Sequence, residues 1–418
     1  MINDKVRDDV LKRIDPNEVV ELALTLGSID SPHGAEGPAG SYIFDWLVKQ
    51  GFQARKIGMF PERFNVMGVL PGKGHGRSLL FNSHMDTAPI RPYDKGPRGE
   101  IAWREGDALF GWGVVNDKGP LATFLIAGKA IKEAGIELLG DLVLTGVVGE
   151  TGPEPVDEFQ APTYVSKDIG ARFLATHGGV ADYAIVAETS GFKVGWVEAG
   201  KAFFKITVRG QVRAGYTPYI KRPAEPGRQS NAAVLSAGLI QRLEEWGVEY
   251  ERKHTYRCAG GVISPKINIG ALRAGTPHSI VRPPSDCTLY LECRIVPNQD
   301  PLAIREELRD MLAKMGLPGE VELYLYRRGY EAQGIEPLVE RLARAHRYEF
   351  GSDLEVADSV FCSMWRDHNV FNEMGITALT YGPSEGVGGG NLRMPIADLV
   401  AAARVYALAA LEVCSTPK

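Results

Sequence analysis

Paired cysteines, basic clusters and long apolar runs are what this sequence lacks. Its five cysteines, Cys258, Cys287, Cys293, Cys362 and Cys414, are odd in number and scattered, with no Cys-x-x-Cys spacing. That argues against a disulfide scaffold or a cysteine-bound zinc finger and fits reduced packing residues in a cytoplasmic protein. Lys and Arg total 47 against 52 Asp and Glu, a net charge of −5. Nucleic acid would meet no cationic field, so no such partner is expected. No uncharged apolar run reaches the roughly 20 residues that cross a bilayer. Residues 1–13 alternate charge with isolated apolar positions instead of forming a leader's apolar stretch. No membrane partner is expected, and internal repeats and low-complexity tracts are absent.

What is present is 418 residues, too many for one ordinary core, so two domains are expected. Asp15-Pro16-Asn17-Glu18 combines a capping side chain, a proline at the first helical position and a carboxylate three residues after the cap; a helix should run on through Leu26. Tyr42, Ile43, Trp46 and Leu47 recur at helical spacing, ending near Gly51. Strand-like runs at 65–70, 77–82, 142–148 and 183–187 alternate with a helical stretch at 121–134, which implies an α/β fold with a mostly parallel sheet flanked by helices. From about Gly200 the pattern changes to strand (203–208), helix (231–246), strands (266–271 and 287–295), helix (301–315) and strand (321–326). That βαββαβ order is ferredoxin-like. The expected division is therefore residues 1–199 with 330–418 in one domain and 200–329 inserted as a second.

Chemistry-bearing residues gather where strands end. His84, in Phe81-Asn82-Ser83-His84-Met85-Asp86-Thr87, should sit at a strand's carboxyl end, where open α/β sheets place ligands. Asp86, two residues on, suits the carboxylate that fixes a ligand histidine's tautomer. Gly113-Val114-Val115-Asn116-Asp117-Lys118-Gly119-Pro120, Val148-Gly149-Glu150-Thr151-Gly152 and Val186-Ala187-Glu188-Thr189 each put an oxygen ligand or an acid at a strand end or a helix entrance.

With these segments in view, the chain resembles the co-catalytic metallopeptidase and deacylase family of glutamate carboxypeptidase, acetylornithine deacetylase, aminoacylase and carnosinase. The resemblance spans nearly the whole chain and implies a zinc-peptidase-like catalytic domain with an inserted lid and dimerisation domain, hence a homodimer. In that family two divalent ions share a bridging aspartate. Here Asn116 stands in the bridging place, with Asp117 the ligand if the register slips by one. The paired glutamates become Glu150-Thr151, and the histidine expected before Pro395 is Arg393. An arginine cannot ligate a metal. All three changes fall on one ion's ligands, so the resemblance implies a single manganese or zinc ion held by His84, Asn116 and Glu188, with Glu150 as general base and Asp86 supporting.

Other family positions point to substrate. Arg213 stands where relatives place a lid histidine, and Arg294 matches an arginine that meets substrate carboxylate; with Arg393 they suit a small carboxylate-bearing substrate. Tyr216 and Trp365 are candidates to flank a flat ring, although Trp365 suits a core equally. Gly386 to Gly390 reads as a hinge, since it lacks the Lys-Ser/Thr ending of a phosphate loop. The single-ion pattern is similar to an aminohydrolase branch that removes ammonia from an aromatic ring. N-acyl amino acid or dipeptide hydrolysis is the same-fold alternative. A non-catalytic binding descendant is the third reading, disfavoured because a binding site needs no Glu150.

Overall fold

In the computed structural model the described residues are 3–160, 164, 166–210, 215–220, 231–258, 260–383 and 392–418. Arg213 and the Gly386–Gly390 segment lie outside them. The chain divides into two compact units, one of Met1–Val197, Glu331–Ala357 and Arg366–Lys418, the other of Glu198–Tyr330 and Asp358–Trp365. The eight residues from Asp358 to Trp365, expected with the catalytic domain, thus group with the smaller unit. Cys362 explains why: its carbonyl accepts the Ala199 amide at 2.8 Å, and Ser363 Oγ accepts the Ser264 amide at 2.9 Å.

The larger unit is built on a six-stranded sheet in the order Gln53–Phe60, Arg63–Leu70, Leu142–Val147, Leu79–His84, Tyr183–Val186, Thr377–Thr380. The last four run parallel, and the first two add an antiparallel edge. Leu79–His84 and Leu142–Val147 are buried along their whole length, as strands covered on both faces must be. Helices Pro16–Ser28, Gly119–Glu133 and Ile396–Cys414 contribute their apolar residues to the same core. Asp15 caps the first of them by accepting the Asn17 amide at 2.9 Å, the device its sequence announced. The strand Gln53–Phe60 and the helix Asp4–Lys12 are additions to the elements expected from the sequence.

The smaller unit has an antiparallel sheet in the order Ile267–Ala274, Asp286–Ile295, Gly200–Arg209, Gly319–Arg327, with helices Ala232–His254 and Pro301–Lys314 closing its core. Gly200–Arg209 alternates buried and half-buried positions, as its period of two requires. The first helix runs eight residues past the expected end at Trp246. Gly247 does not stop it, because Trp246 and Tyr250 are both buried one turn apart in the core.

One polar clamp fixes how two of the parallel strands begin. The Asp182 carboxylate, just before Tyr183, accepts the Ser78 amide and hydroxyl at 2.8 Å each, with Arg77 at 3.2 Å and Lys418 at 3.1 Å. Burial alone would raise its pKa, but the Ser78 donors and the two cations outweigh burial and hold it down to about 2. A carboxyl depressed on folding stabilises the fold above its ordinary value near 4, and that contribution disappears as pH falls towards 2. Asp182→Ala should therefore cost about 1–3 kcal/mol in urea unfolding at neutral pH. The gap between variant and wild type should close as unfolding is repeated at successively lower pH below about 4.

Candidate metal centre

The carboxyl ends of three neighbouring parallel strands deliver the site. His84 ends one strand, Glu150 follows another by three residues, and Glu188 follows the third by two. Asn116 and Asp117 come from the turn that enters helix Gly119–Glu133, and their shared peptide is cis. Among the described residues, His84, Asp117 and Glu188 bring one ligand atom each to within 4.8 Å of the others, all three buried.

The donor chemistry of this group fits a cation. His84 Nδ1 lies 2.9 Å from the main-chain oxygen of Asp86, so one ring proton points there and Nε2 is the nitrogen that faces the cluster. Nε2 is hydrogen-bonded to Asn116 Oδ1 at 2.7 Å. When Nε2 gives up its proton, the two atoms become a converging nitrogen and oxygen donor pair, which a cation can take in the proton's place. Asp117 Oδ2 accepts Ser83 Oγ at 2.6 Å, whereas its buried Oδ1 has no hydrogen-bond partner. Burial raises the Asp117 pKa well above its usual range, and the neighbouring Glu188 adds to this. Burial works against a charged His84, but Asp86, Glu150 and Asp117 overcome it and make the ring unusually basic. Nitrogen with several oxygens is a donor set for zinc or manganese. Both Asn116 and Asp117 therefore reach the cluster from adjacent positions.

Glu150 is buried, with Oε2 4.0 Å from His84 Nε2 and Oε1 3.8 Å from Lys167 Nζ. Burial raises its pKa, which Lys167 and His84 partly offset. The preceding Gly149 has φ +70°, and a Cβ there would come within 2.9 Å of the Arg63 guanidinium, so glycine is needed for this turn.

Asp86 meets His84 twice, through its main-chain oxygen at 2.9 Å from Nδ1 and through its carboxylate at 3.5 Å. The carboxylate also accepts the Glu150 amide at 3.0 Å, the Thr151 amide at 2.7 Å and the Thr151 hydroxyl at 2.5 Å. Burial opposes its ionisation, but His33, His84 and Thr151 hold its pKa well below the usual range. Asp86 thus fixes the turn that carries Glu150. Lys118, its pKa lowered by burial to about 8, braces the same strand end from behind: Nζ donates to Ile29 O at 2.6 Å and Ser31 Oγ at 2.8 Å, and Ser31 donates to Met85 O at 2.7 Å.

A second group with metal-ligand spacing, His33, Glu36 and Asp86, adjoins the first. It already contains a cation. Arg63 pairs with Glu36 at 3.0 Å and reaches His33 Nε2 at 3.1 Å, while His33 Nδ1 bonds the Thr151 carbonyl.

The other expected positions have partners of their own. Arg393 pairs with Asp107 at 3.0 Å. Arg294, in the smaller unit, pairs with Glu292 at 2.9 Å. Tyr216 is exposed with Arg282 over its ring, and Trp365 is only 5% exposed with Lys201 over its face, so it is packed in place and not an open wall for a ligand. Sequence reasoning missed Arg366, whose Nε donates to Glu188 Oε2 at 3.2 Å, along with Lys167, Arg63, His33 and Glu36. Arg366 directly follows Trp365, but nothing local distinguishes its contact from that of a solvated arginine.

The profile of peptidase family M20/M25/M40 matches residues 80–412. Bacillus subtilis N-formyl-4-amino-5-aminomethyl-2-methylpyrimidine deformylase is 27% identical over 315 residues, covering 71% of this chain and 68% of that protein. Carboxypeptidase G2 of Pseudomonas is 27% identical over 371 residues, covering 84% and 79%. A dinuclear metal-binding peptidase of the M20 family from Bacillus subtilis shares the fold at a TM-score of 0.67, with 14% identity over 96% of this chain and 99% of its own.

Because three bonds to the Asp86 carboxylate order the turn beside the cluster, Asp86→Ala should weaken zinc binding about 10–100-fold. Thr151→Val, which removes one of the three, should have a smaller effect. Competitive zinc titration of each variant measures both.

Proposed function

We propose that this chain, which belongs to peptidase family M20/M25/M40 and is a metal-dependent hydrolase of amide- and peptide-like C–N bonds, works with one divalent ion, manganese or zinc, held by His84, Glu188 and the Asn116–Asp117 pair. The contrast between the two clusters carries this reading. Around His84, an imidazole nitrogen, the Asn116 oxygen and the buried carboxylates of Asp117 and Glu188 converge, whereas the His33–Glu36–Asp86 group is already neutralised by Arg63.

When bound, the ion supplies the Lewis acidity that makes water a nucleophile near neutral pH. Glu150 takes the proton of the attacking water and hands it to the departing nitrogen. With one ion, Arg366 beside Glu188 is a fixed positive charge available to a developing anion. A substrate whose own electron-poor ring absorbs that charge makes the least demand on it. The reaction we therefore put first is hydrolytic deamination of 5-nitroanthranilate: water oxygen bonds the ring carbon bearing the amine, the C–N bond breaks with its electron pair on nitrogen, and 5-nitrosalicylate and ammonia leave. The 27% identity to a deformylase favours a second reading, hydrolysis of an N-acyl group. A homodimer through the smaller unit and a cytoplasmic location complete the proposal.

Metal analysis of the purified, active chain should give one ion per chain, and two tightly held ions would reject the single-ion reading. Zinc- or manganese-loaded protein should release ammonia from 5-nitroanthranilate; turnover of N-acetyl-L-glutamate alone would select the second reading. Glu150→Gln should retain metal and lose at least about 100-fold in kcat.

A further inference from the structure

The two oxygens of Glu150 face different partners. Oε2 lies on the His84 side, and Oε1 looks at the ammonium of Lys167, a residue the preceding chemistry leaves as a bystander. Three features of the surrounding chain build that contact. Asn65, fully buried on the strand Arg63–Leu70, accepts the Val148 amide at 3.0 Å and donates to the Gly170 carbonyl at 2.8 Å. One amide side chain thereby ties the strand end two residues before Glu150 to the helix three residues after Lys167. Gly170 permits the approach, since a Cβ there would come within 2.0 Å of Val148 O. Between them Asp168, buried and at φ +62°, holds a left-handed conformation that a non-glycine residue rarely adopts. Such local strain persists only where the surroundings over-determine it.

We infer that Lys167 is a positioning residue for Glu150: by holding Oε1 it keeps Oε2 turned to the cluster, where the proton is taken and returned. This rests on Glu150 being the base. A glutamate's terminal torsion is broad and nearly two-fold, and the carboxylates of Asp86 and Glu188 repel its charge, so Lys167 at Oε1 works with His84 at Oε2 to fix which oxygen faces the cluster. Misplacing a catalytic group by about 1 Å costs on the order of 100-fold in rate.

The test uses the full, zinc-loaded chain with Lys167→Met and Lys167→Arg. On whichever probe reacts, 5-nitroanthranilate or N-acetyl-L-glutamate, Lys167→Met should lower kcat about 10–100-fold with KM changed less than about threefold, and Lys167→Arg should restore most of the loss. Thermal stability and zinc affinity should stay at wild-type values. Crystal structures of wild type and Lys167→Met, which need no turnover, should show the Glu150 carboxylate turned away from His84 only in the variant. Calorimetric binding of each probe to Glu150→Gln should be unchanged when Lys167→Met is added. An unturned Glu150 in the variant, an unchanged kcat, or weaker probe binding in the double variant, which would put Lys167 on the substrate, overturns the inference. A fully active Glu150→Gln would remove Glu150 as the base, whereas an inactive Glu150→Gln beside a normal Lys167→Met removes only Lys167.

Discussion

Buried negative charge is the constraint on which the rest of this molecule depends. Asp86, Asp117, Glu150, Glu188 and Asp367 are all removed from water within one region of the larger unit, where an isolated carboxylate is costly. Such a concentration survives folding only with protons, fixed cations or metal to balance it. The pKa directions tell where each solution is used: burial drives Asp117, Glu150 and Asp367 towards the protonated form, while His33, His84 and Thr151 keep Asp86 ionised.

The scaffold answers with charges of its own, distributed by sheet topology. Parallel strands end side by side, so residues far apart in sequence are stacked into one edge of the sheet. Behind that edge Arg63 balances Glu36, and at its flank Arg366 meets Glu188 and Lys167 meets Glu150. Around His84, Asp117 and Glu188 the ligand atoms lie within 4.8 Å of one another, and beside them Arg63 sits within the His33–Glu36–Asp86 group. That asymmetry is what the single-ion proposal rests on.

Two positions that the family resemblance would fill with metal ligands have defined partners in this chain. Thr151, in place of a carboxylate, donates its hydroxyl to Asp86 and so tightens the turn holding Glu150. Arg393, in place of a histidine, is anchored to Asp107.

Much of this was decided by the sequence alone. Period and capping fixed the helix after Asp15, the fully buried strands and the βαββαβ order, because each is a local matter of side-chain spacing. The strand-end placement of His84, Glu150 and Glu188 was legible for the same reason. Only tertiary structure could decide which partner each polar group takes. Asp86 serves the Glu150–Thr151 turn because a neighbouring strand presents those donors to it; Trp365 is packed under Lys201; Arg366 and Lys167 arrive from distant segments. Hydrogen bonds and ion pairs act over a few ångströms in space, and sequence spacing carries no record of contacts made across 178 residues, as between Arg366 and Glu188.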